Sequence, residues 1–354
     1  MQKKQKILVA VSGGVDSAVS AAILVRQGFD VSGAYMINYD DKSECWRNEY
    51  RDALRVCAKI NIPLLKLDFC SQYEKEVLNR MFKSYRQYKT PNPDILCNKY
   101  IKFSAWQKKA LDLGFDKLAT GHYACVKKIK NEYQLRIPKD KIKDQTYFLC
   151  QLNQKQLKNA IFPLCGYTKK QVRAIARQYE LPNADKKESM GICFVGKVDM
   201  RSFLQKKIKS KVGRIKMSKT GEVIGEHQGL PFYTIGQRHI GSSLLKKNNS
   251  EPLYIIKKDK IKNEIIVGFG SDKLLFKKSA NLININWISG EVPSMPMHCK
   301  CRLRHGQDLQ ATTVDDENGK FTANFEIPQS SVACGQYIVF YKNGVCIGGA
   351  EMTY

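Results

Sequence analysis

The residues best placed for chemistry follow a short apolar run near the start of the chain. Residues 7–11 read Ile-Leu-Val-Ala-Val, and residues 12–17, here called the 12–17 loop, continue Ser-Gly-Gly-Val-Asp-Ser. The apolar run predicts a strand, and a helical pattern begins directly after the loop. The glycines leave room for backbone to close around an anion, and Ser17 falls where the first helical N–H groups are unpaired. The pattern predicts a pyrophosphate-binding loop, and the alternative is a plain glycine turn.

Two of the twelve cysteines have surroundings that suit a reactive thiol. Cys97 ends the run Thr-Pro-Asn-Pro-Asp-Ile-Leu-Cys, in which two prolines fix the backbone ahead of Asp94 and Cys97. Lys99 is close enough in sequence to favour a thiolate. Cys193 lies in Gly-Ile-Cys-Phe-Val-Gly, an apolar run bracketed by glycines. The alternative for both is a small buried hydrophobic residue, and composition alone favours it for Cys193.

The segments that carry these residues alternate between strand-like and helix-like patterns over the first 120 residues. Such alternation indicates right-handed βαβ units and a parallel sheet covered on both faces. Ligands of these sheets bind at the carboxyl ends of the strands, where the 12–17 loop, Met36, Gly121 and His122 all fall. We expect these residues to share a cleft. Strands are predicted at 7–11, 31–36, 64–67 and 117–120, and helices at 17–27, 46–60, 74–85 and 101–113.

The rest of the chain has a different pattern. Residues 125–129 and 133–137 predict a hairpin, and a capping box at Thr168 begins a helix that runs to about 179. From about 212 onward, short β-like runs are separated by Gly, Asn and Pro, and Asn-Gly pairs mark hairpins. We expect an α/β domain at 1–197, a small β-rich domain at 198–278 and a C-terminal β-barrel at 279–354.

Charge and composition limit the classes of partner. The chain has 354 residues and a formal charge of +26, which favours a polyanion such as nucleic acid, most clearly along the basic stretch 205–216. The alternative is a general bias toward lysine. No apolar run approaches the ~20 residues of a membrane span, and the basic N-terminus runs straight into the first strand, so we expect a cytoplasmic protein without a membrane partner.

The expected cytoplasmic location also limits which bonds the cysteines form. In a reducing compartment, twelve cysteines argue against a structural disulfide framework. Their spacing also differs from that of zinc sites, since Cys299 and Cys301 are too close together for the usual pair. We therefore expect no metal site built from protein side chains.

Four motifs together resemble a known family. The 12–17 loop resembles the PP-loop of ATP pyrophosphatases, and it lacks both the Walker lysine and the dinucleotide glycine spacing. With residues 90–99, Ala-Thr-Gly-His-Tyr at 119–123 and the run at 188–196, the chain is similar over essentially its whole length to the tRNA-specific 2-thiouridylase family. The pair Thr-Pro-Asn-Pro-Asp-x-x-Cys-Asn and Gly-Ile-Cys-Phe is specific to that family. Its members replace the 2-oxygen of the wobble uridine of certain tRNAs with sulfur.

The resemblance implies a mechanism. ATP adenylates the uridine oxygen, pyrophosphate leaves, and sulfur from a cysteine persulfide then displaces AMP. Cys193 matches the persulfide carrier, and Cys97 matches the nucleophile that releases or resolves the sulfur, ending in a Cys97–Cys193 disulfide that a reductant reopens. Asp94, three residues before Cys97, is positioned to move a proton.

The resemblance also implies binding residues and partners. The tRNA would bind through its anticodon stem-loop, and the sulfur would come from a donor protein, either a cysteine desulfurase or a relay protein. His122 has an equal alternative as a structural histidine, and a tyrosine is common where His305 stands, which weakens the case for base stacking there. The implied ATP contacts, with Mg²⁺ held indirectly by Asp16, are Ala10, Val11, Ser12, Gly13, Gly14, Val15, Asp16, Ser17, Met36 and Gly121. The implied tRNA contacts are Asn92, Pro93 and Asp94 at the target base, with His122, Lys143, Asp144, Gln145, Arg304, His305 and Gln336.

Two other functions fit parts of the sequence. A PP-loop ligase of the GMP-synthetase type would add nitrogen to an adenylated substrate, and it has no use for paired cysteines. An RNA-binding module could keep a relic of the PP-loop, but the 12–17 loop is intact. Activity that resists alkylation would favour the ligase, and an absence of tRNA-dependent pyrophosphate release would favour the binding module.

Overall fold

The computed structural model describes residues 4–39, 45–187, 199–238, 240 and 251–353. Cys193 and the run around it lie outside these described residues. Within the described ranges, no helix combines the length and the apolar character that a bilayer crossing requires.

The first part of the chain alternates strands and helices. In order, it forms β1 (Lys6–Ala10), α1 (Val15–Arg26), β2 (Asp30–Ile37), α2 (Cys45–Lys59), β3 (Leu64–Asp68), α3 (Cys70–Tyr73), α4 (Asn79–Arg86), α5 (Pro93–Leu96), α6 (Gln107–Asp112), β4 (Lys117–Ala119), β5 (Cys125–Ile129), β6 (Glu132–Arg136), α7 (Gln154–Lys158), β7 (Ala160–Ile161) and α8 (Lys169–Gln178). The π-helical stretches Glu74–Leu78 and Cys97–Trp106 join α3 to α4 and α5 to α6.

The second part is mainly β-structure. It contains α9 (Met200–Gln205), β8 (Gly213–Met217), β9 (Val223–His227), β10 (Leu253–Asp259), β11 (Glu264–Phe269), β12 (Phe276–Trp287), β13 (Met297–Arg302), β14 (Gln310–Glu317), β15 (Lys320–Ser330), β16 (Tyr337–Lys342) and β17 (Val345–Thr353).

The N-terminal sheet is parallel and has the strand order β3-β2-β1-β4-β7. Ile7, Leu8 and Val9 are all 0% exposed, because both faces of the sheet are covered. One face packs against α1, α2 and α8, and the other against the helices from α3 to α6 and α9. The predicted α/β domain with a parallel sheet is confirmed. Strand β7 was not predicted, because it is only two residues long and too short for a periodic pattern.

The C-terminal strands close into a barrel. Its order is β12-β15-β14-β13-β16-β17, and pairing of β12 with β17 closes it into six strands. The predicted barrel is confirmed. The β5–β6 hairpin of the N-terminal part extends this sheet, since Arg136 pairs with Val345 of β17. Between the two parts, β10-β11-β8-β9 form a separate four-stranded sheet.

One disulfide corrects the expectation from composition. Cys125, at the start of β5, is bonded to Cys165, which follows β7. A reducing compartment disfavours disulfides in general, but it does not prevent one between two cysteines that the fold holds close together. The two cysteines meet because β4 and β7 are parallel neighbours, so the segments that leave their carboxyl ends run side by side.

Candidate active site

The 12–17 loop is tied across its two ends by a serine hydroxyl. The backbone N–H of Ser12 donates to Ser17 Oγ over 3.1 Å, and that hydroxyl donates to the carbonyl of Gly14 over 3.0 Å. Gly14 is the N-cap of α1 and has no side chain to accept from the first-turn amides. The N–H groups of the first turn have no acceptor inside the helix and form the positive end of its dipole. They therefore suit a bound anion.

Two glycines allow backbone to approach this loop closely. Gly13 has φ +73°, and a Cβ there would lie 2.5 Å from the carbonyl oxygen of Glu49. A Cβ on Gly121, just beyond β4, would lie 2.8 Å from the backbone nitrogen of Ser17. Gly121 therefore packs directly on the start of α1, as the strand-end argument predicted.

The close approach of Gly121 makes a testable prediction. In Gly121→Ala, the new methyl meets Ser17 N and Asp16 C, backbone atoms that cannot swing aside. We expect ATP to bind about tenfold more weakly, a loss of ~1.4 kcal/mol measurable by calorimetry. Gly166→Ala is the matched control, since a Cβ there meets nothing within 4 Å. Unchanged ATP affinity in Gly121→Ala would show that this contact does not shape the nucleotide site.

Asp16 has two partners that sequence reasoning missed. Lys169 Nζ donates to its two carboxylate oxygens over 2.7 and 2.8 Å, and the Tyr123 hydroxyl donates to Oδ1 over 3.0 Å. Lys169 stands in the first turn of α8, where the helix dipole disfavours a cation. That unfavourable position was the signal available in the sequence for an acidic partner.

A second lysine lies beside the glycines. Lys186 Nζ donates to the carbonyl of Gly13 over 3.3 Å and pairs with Asp52 over 2.7 Å. Asn183 donates to the same Gly13 carbonyl over 3.1 Å. Two ammonium groups, those of Lys169 and Lys186, therefore contact the 12–17 loop, and each also pairs with a carboxylate, Asp16 or Asp52.

The strand ends beside the loop supply its apolar surroundings. Val11 continues β1 and donates its N–H to the carbonyl of Ala34, and Met36 of β2 is 2% exposed. Asn38, just beyond β2, is also buried, and neither its amide nitrogen nor its amide oxygen has a partner in the described part of the chain. Since buried amides are normally satisfied, Asn38 is a candidate ligand contact that the sequence analysis missed.

The segment at 90–99, here called the Cys97 loop, becomes helical from Pro93 onward. The side chain of Asn92 caps α5 by accepting from Ile95 N over 3.2 Å, and Pro93 occupies the first turn. Cys97 is 1% exposed and packs in the same apolar cluster as Met36, with Ala10 against it. Asp94 lies one turn before Cys97 on this helical segment, where residues three apart share a face.

His122 is held by neighbours on several sides. Its Nδ1 lies 2.7 Å from Thr120 Oγ1, and its ring centroid lies 6.0 Å from that of Phe103 and 6.1 Å from that of Phe162. Burial, and secondarily the charge of Lys102, lowers the pKa of His122 well below its usual value. The imidazole is therefore neutral at pH 7.

One of the predicted RNA contacts at 143–145, Asp144, is buried and holds this loop in place. Asp144 is 1% exposed, and Arg302 Nη1 donates to its Oδ2 over 2.6 Å. Gln145 exchanges two hydrogen bonds of 3.0 Å with the backbone of Tyr123. Asp144 and Gln145 thus fix this loop, and Lys143 beside them is partly exposed. Arg302, which sequence reasoning missed, supplies the balancing charge.

The structure brings Arg304 and His305 to that same loop. Arg304 is exposed, and His305 Nε2 lies 3.0 Å from the carbonyl oxygen of Asp144. The His305 ring lies 4.7 Å from the ring of Phe148, centroid to centroid, at 33°. One face of His305 is therefore already covered, and a base can stack only on the other.

Gln336 is brought instead to the Cys97 loop. Its Nε2 donates to the carbonyl of Thr90 over 3.1 Å, and Thr90 N donates to the carbonyl of Cys334 over 2.8 Å. The predicted RNA contacts thus form two groups, one at 92–94 with Gln336 and one at 143–145 with Arg304 and His305. The hydroxyl of Tyr147 links them through the carbonyls of Leu303 and Tyr337.

Comparison with known domain families covers nearly the whole chain. A model described as a tRNA methyl transferase HUP domain matches residues 5–197, and one described as a tRNA methyl transferase PRC-barrel domain matches 201–269. A third, an aminomethyltransferase beta-barrel domain, matches 277–352.

Curated proteins match over 94% or more of their length. The tRNA-specific 2-thiouridylase MnmA 2 of Aliarcobacter butzleri is 40% identical over 100% of both chains. The tRNA-specific 2-thiouridylases MnmA of Halalkalibacterium halodurans and Limosilactobacillus reuteri are 40% and 41% identical, over 99% and 98% of this chain and 95% and 94% of theirs. A solved 4-thiouridine synthetase–RNA complex with bound ATP is 18% identical, with a TM-score of 0.36 over 57% of this chain and 50% of that one.

Proposed function

Since the chain belongs to the tRNA-specific 2-thiouridylase family, we propose that it replaces the 2-oxygen of the wobble uridine of tRNA with sulfur in an ATP-dependent reaction. The observation that carries the proposal is that Cys97 belongs to the same apolar cluster as Met36, with Ala10 packed against that cluster. Ala10 ends β1, directly before the 12–17 loop, and Met36 lies near the end of the neighbouring strand β2. A phosphate-binding loop and a rigidly held thiol at one edge suit adenylation followed by sulfur transfer.

The first half of the reaction makes a poor leaving group into a good one. The uridine 2-oxygen attacks the α-phosphorus of ATP, the bond to the bridging oxygen breaks, and pyrophosphate leaves. The first-turn amides of α1 and the ammonium groups of Lys169 and Lys186 lie where this developing charge would collect. Preorganised donors of this kind stabilise charge that grows in the transition state.

The second half moves sulfur between thiols. The terminal sulfur of a Cys193 persulfide attacks carbon 2 of the adenylated base, and AMP departs with the former uridine oxygen. The Cys97 thiolate then attacks the Cys193 sulfur, and the electron pair of the broken sulfur–sulfur bond stays on the 2-thiouridine. Asp94, one turn away, can exchange the proton of Cys97. The product enzyme holds a Cys97–Cys193 disulfide, which an external dithiol must reduce.

Mg²⁺ fits this site as a companion of ATP. Both Asp16 oxygens lie within 2.8 Å of Lys169 Nζ, so Asp16 suits a water-mediated contact to a metal. Throughout the described ranges, no group of three or more His, Cys, Asp or Glu side chains is placed to hold a metal ion. The phosphates of ATP, with Asp16 in the outer sphere, would therefore hold Mg²⁺, which neutralises charge on the leaving pyrophosphate.

The RNA contacts divide by what each side chain can do. Asn92, Pro93 and Asp94 precede Cys97 by three to five residues and would meet the target base together with Gln336 and His122. Exposed Arg304 and partly exposed Lys143 suit phosphate contacts, whereas buried Asp144 acts by holding the loop. A chain with a formal charge of +26 supplies the general attraction for RNA.

The remaining parts of the proposal concern setting and organisation. We place the reaction in the cytoplasm and assign the sulfur to a persulfide-bearing donor protein, a cysteine desulfurase or a relay protein. We divide the chain into a catalytic domain at 1–197, a central domain at 198–278 and an RNA-binding barrel at 279–354. The pairing of Arg136 with Val345 would then couple the catalytic domain to the barrel.

The test is reconstitution with tRNA that lacks the modification. With ATP and a persulfide donor, we expect 2-thiouridine at the wobble position by mass spectrometry of tRNA digests, with one AMP and one pyrophosphate per product. ADP formation, or modified tRNA without a persulfide source, would contradict the proposal. Methylated tRNA as the product would instead favour the methyl transfer after which the first two matching domain families are named.

A further inference from the structure

The disulfide lies between the two chain segments that hold the ATP-loop carboxylate. Tyr123 and Lys169 both donate to Asp16 Oδ1, over 3.0 and 2.7 Å. Cys125 is two residues beyond Tyr123, and Cys165 is four residues before Lys169. The Cys125–Cys165 bond thus joins the segment that carries Tyr123 to the segment that carries Lys169, here called the two arms. The Cα atoms of the two cysteines are 4.8 Å apart.

Little regular structure joins the two arms to each other, although each is anchored separately, Cys125 by pairing with Arg136 of β6 and Lys169 by its place at the start of α8. Only Leu118 and Ala119 of β4 pair with β7, and both arms leave the sheet beyond that short ladder. Beyond it, Lys139 N donates to the carbonyl of Cys165, and Lys169 N donates to Asp140. The disulfide therefore adds a covalent link between the two segments just beyond this two-residue ladder. Both cysteines are partly exposed, so small reagents can reach them.

We propose that Cys125 and Cys165 form a reversible thiol–disulfide pair that sets ATP affinity by positioning Tyr123 and Lys169 on Asp16. The inference rests on the proposed binding of ATP at the 12–17 loop, and it concerns a thiol pair separate from Cys97 and Cys193. In the oxidised form the arms are tied and the Asp16 carboxylate is held in place. In the reduced form the arms separate more readily, and the loop loses preorganisation for the phosphates.

The redox step balances with a small-molecule disulfide of the glutathione class. One thiolate of the pair attacks the reagent, forming a mixed disulfide and releasing one small thiol. The second protein thiolate then displaces the other small thiol, closing the Cys125–Cys165 bond. Two thiol protons and two electrons pass to the reagent, which leaves as two thiols.

The experiment measures ATP affinity in a background without the sulfur-transfer thiols. In Cys97→Ser/Cys193→Ser, calorimetry is done at oxidising and reducing glutathione ratios, with peptide mapping to confirm the state of the Cys125–Cys165 pair. We expect reduction to weaken ATP binding at least about fivefold, the lower end of typical coupling between sites. When Cys125→Ser and Cys165→Ser are added to this background, ATP affinity should equal that of the protein with reduced thiols at every glutathione ratio.

Two further variants make the result specific. Cys299→Ser, a partly exposed cysteine in the barrel, should keep the full redox response. Tyr123→Phe removes one of the two contacts to Asp16 and should shrink the response. The inference is overturned if affinity is equal in both redox states, if mapping finds no Cys125–Cys165 bond under oxidising conditions, or if the double serine variant still responds. Because thiolation is not the readout, failure of the proposed sulfur transfer would leave this result interpretable, and absence of any ATP binding would instead refute the proposed function.

Discussion

Cys97→Ser and Cys193→Ser each abolish 2-thiouridine formation, by at least about 10³-fold, while ATP affinity stays within about twofold of the parent chain. The reason is chemical, since a hydroxyl neither carries a persulfide nor resolves one at neutral pH. Serine is close to cysteine in size, and the 12–17 loop is untouched by either change. Product is measured by mass spectrometry of digested tRNA, and ATP binding by calorimetry.

The two variants are expected to fail at different steps. Without Cys97, the sulfur bound to the base remains joined to Cys193, so Cys97→Ser should trap tRNA on the protein in a form that dithiol reagents release. Cys193→Ser has no carrier and should trap nothing. The assay omits small thiols, which would otherwise resolve the adduct in place of Cys97.

Cys299→Ser is the matched control for both changes. The Cys299 thiol lies in β13 of the barrel, and burial raises its pKa to about 12, so it is unreactive at neutral pH. It should keep full activity. An active Cys193→Ser enzyme would remove Cys193 from the mechanism, and a tRNA adduct in Cys193→Ser would reverse the two assignments.

Arg302→Met should cause a large loss of stability, about 3–5 kcal/mol, because it leaves the buried Asp144 carboxylate without its charged partner. The pair is 2.6 Å apart, and its side chains are 10% and 1% exposed. Thermal unfolding measures the loss. Asp144→Asn combined with Arg302→Met should recover most of it, since the amide keeps an acceptor for Thr146 without the charge.

Arg304→Met is the comparison that separates stability from RNA binding. This exposed arginine lies two residues from Arg302, beside the same loop. We expect no change in unfolding temperature, weaker tRNA binding, and a salt dependence of affinity whose slope falls by about one, as for one phosphate contact. A destabilised Arg304→Met, or an unaffected Arg302→Met, would show that the two arginines have been assigned the wrong roles.

Much of the fold was available from local patterns. The predicted strand at 7–11 is β1 with Val11 beyond it, and the predicted hairpin at 125–129 and 133–137 is found as β5 and β6. The helix predicted at 101–113 starts earlier, at Pro93, because Asn92 caps it and a proline is well tolerated in the first turn. The Asn-Pro pair at 92–93 is a helix-start signal in the sequence, whereas the prediction for this stretch was a rigid loop.

The tight backbone of the 12–17 loop and the capped helix start at Asn92 were determined by the sequence alone, because glycine, proline and capping residues act on the backbone within a few positions. The partners of the charged groups were decided by the tertiary structure. Lys169 and Asp16 are 153 residues apart in the chain, and Arg302 and Asp144 are 158 apart. Contacts at that separation depend on how the sheet and the barrel are assembled, so no local pattern specifies them. The same holds for Cys125 and Cys165, which meet because β7 pairs beside β4.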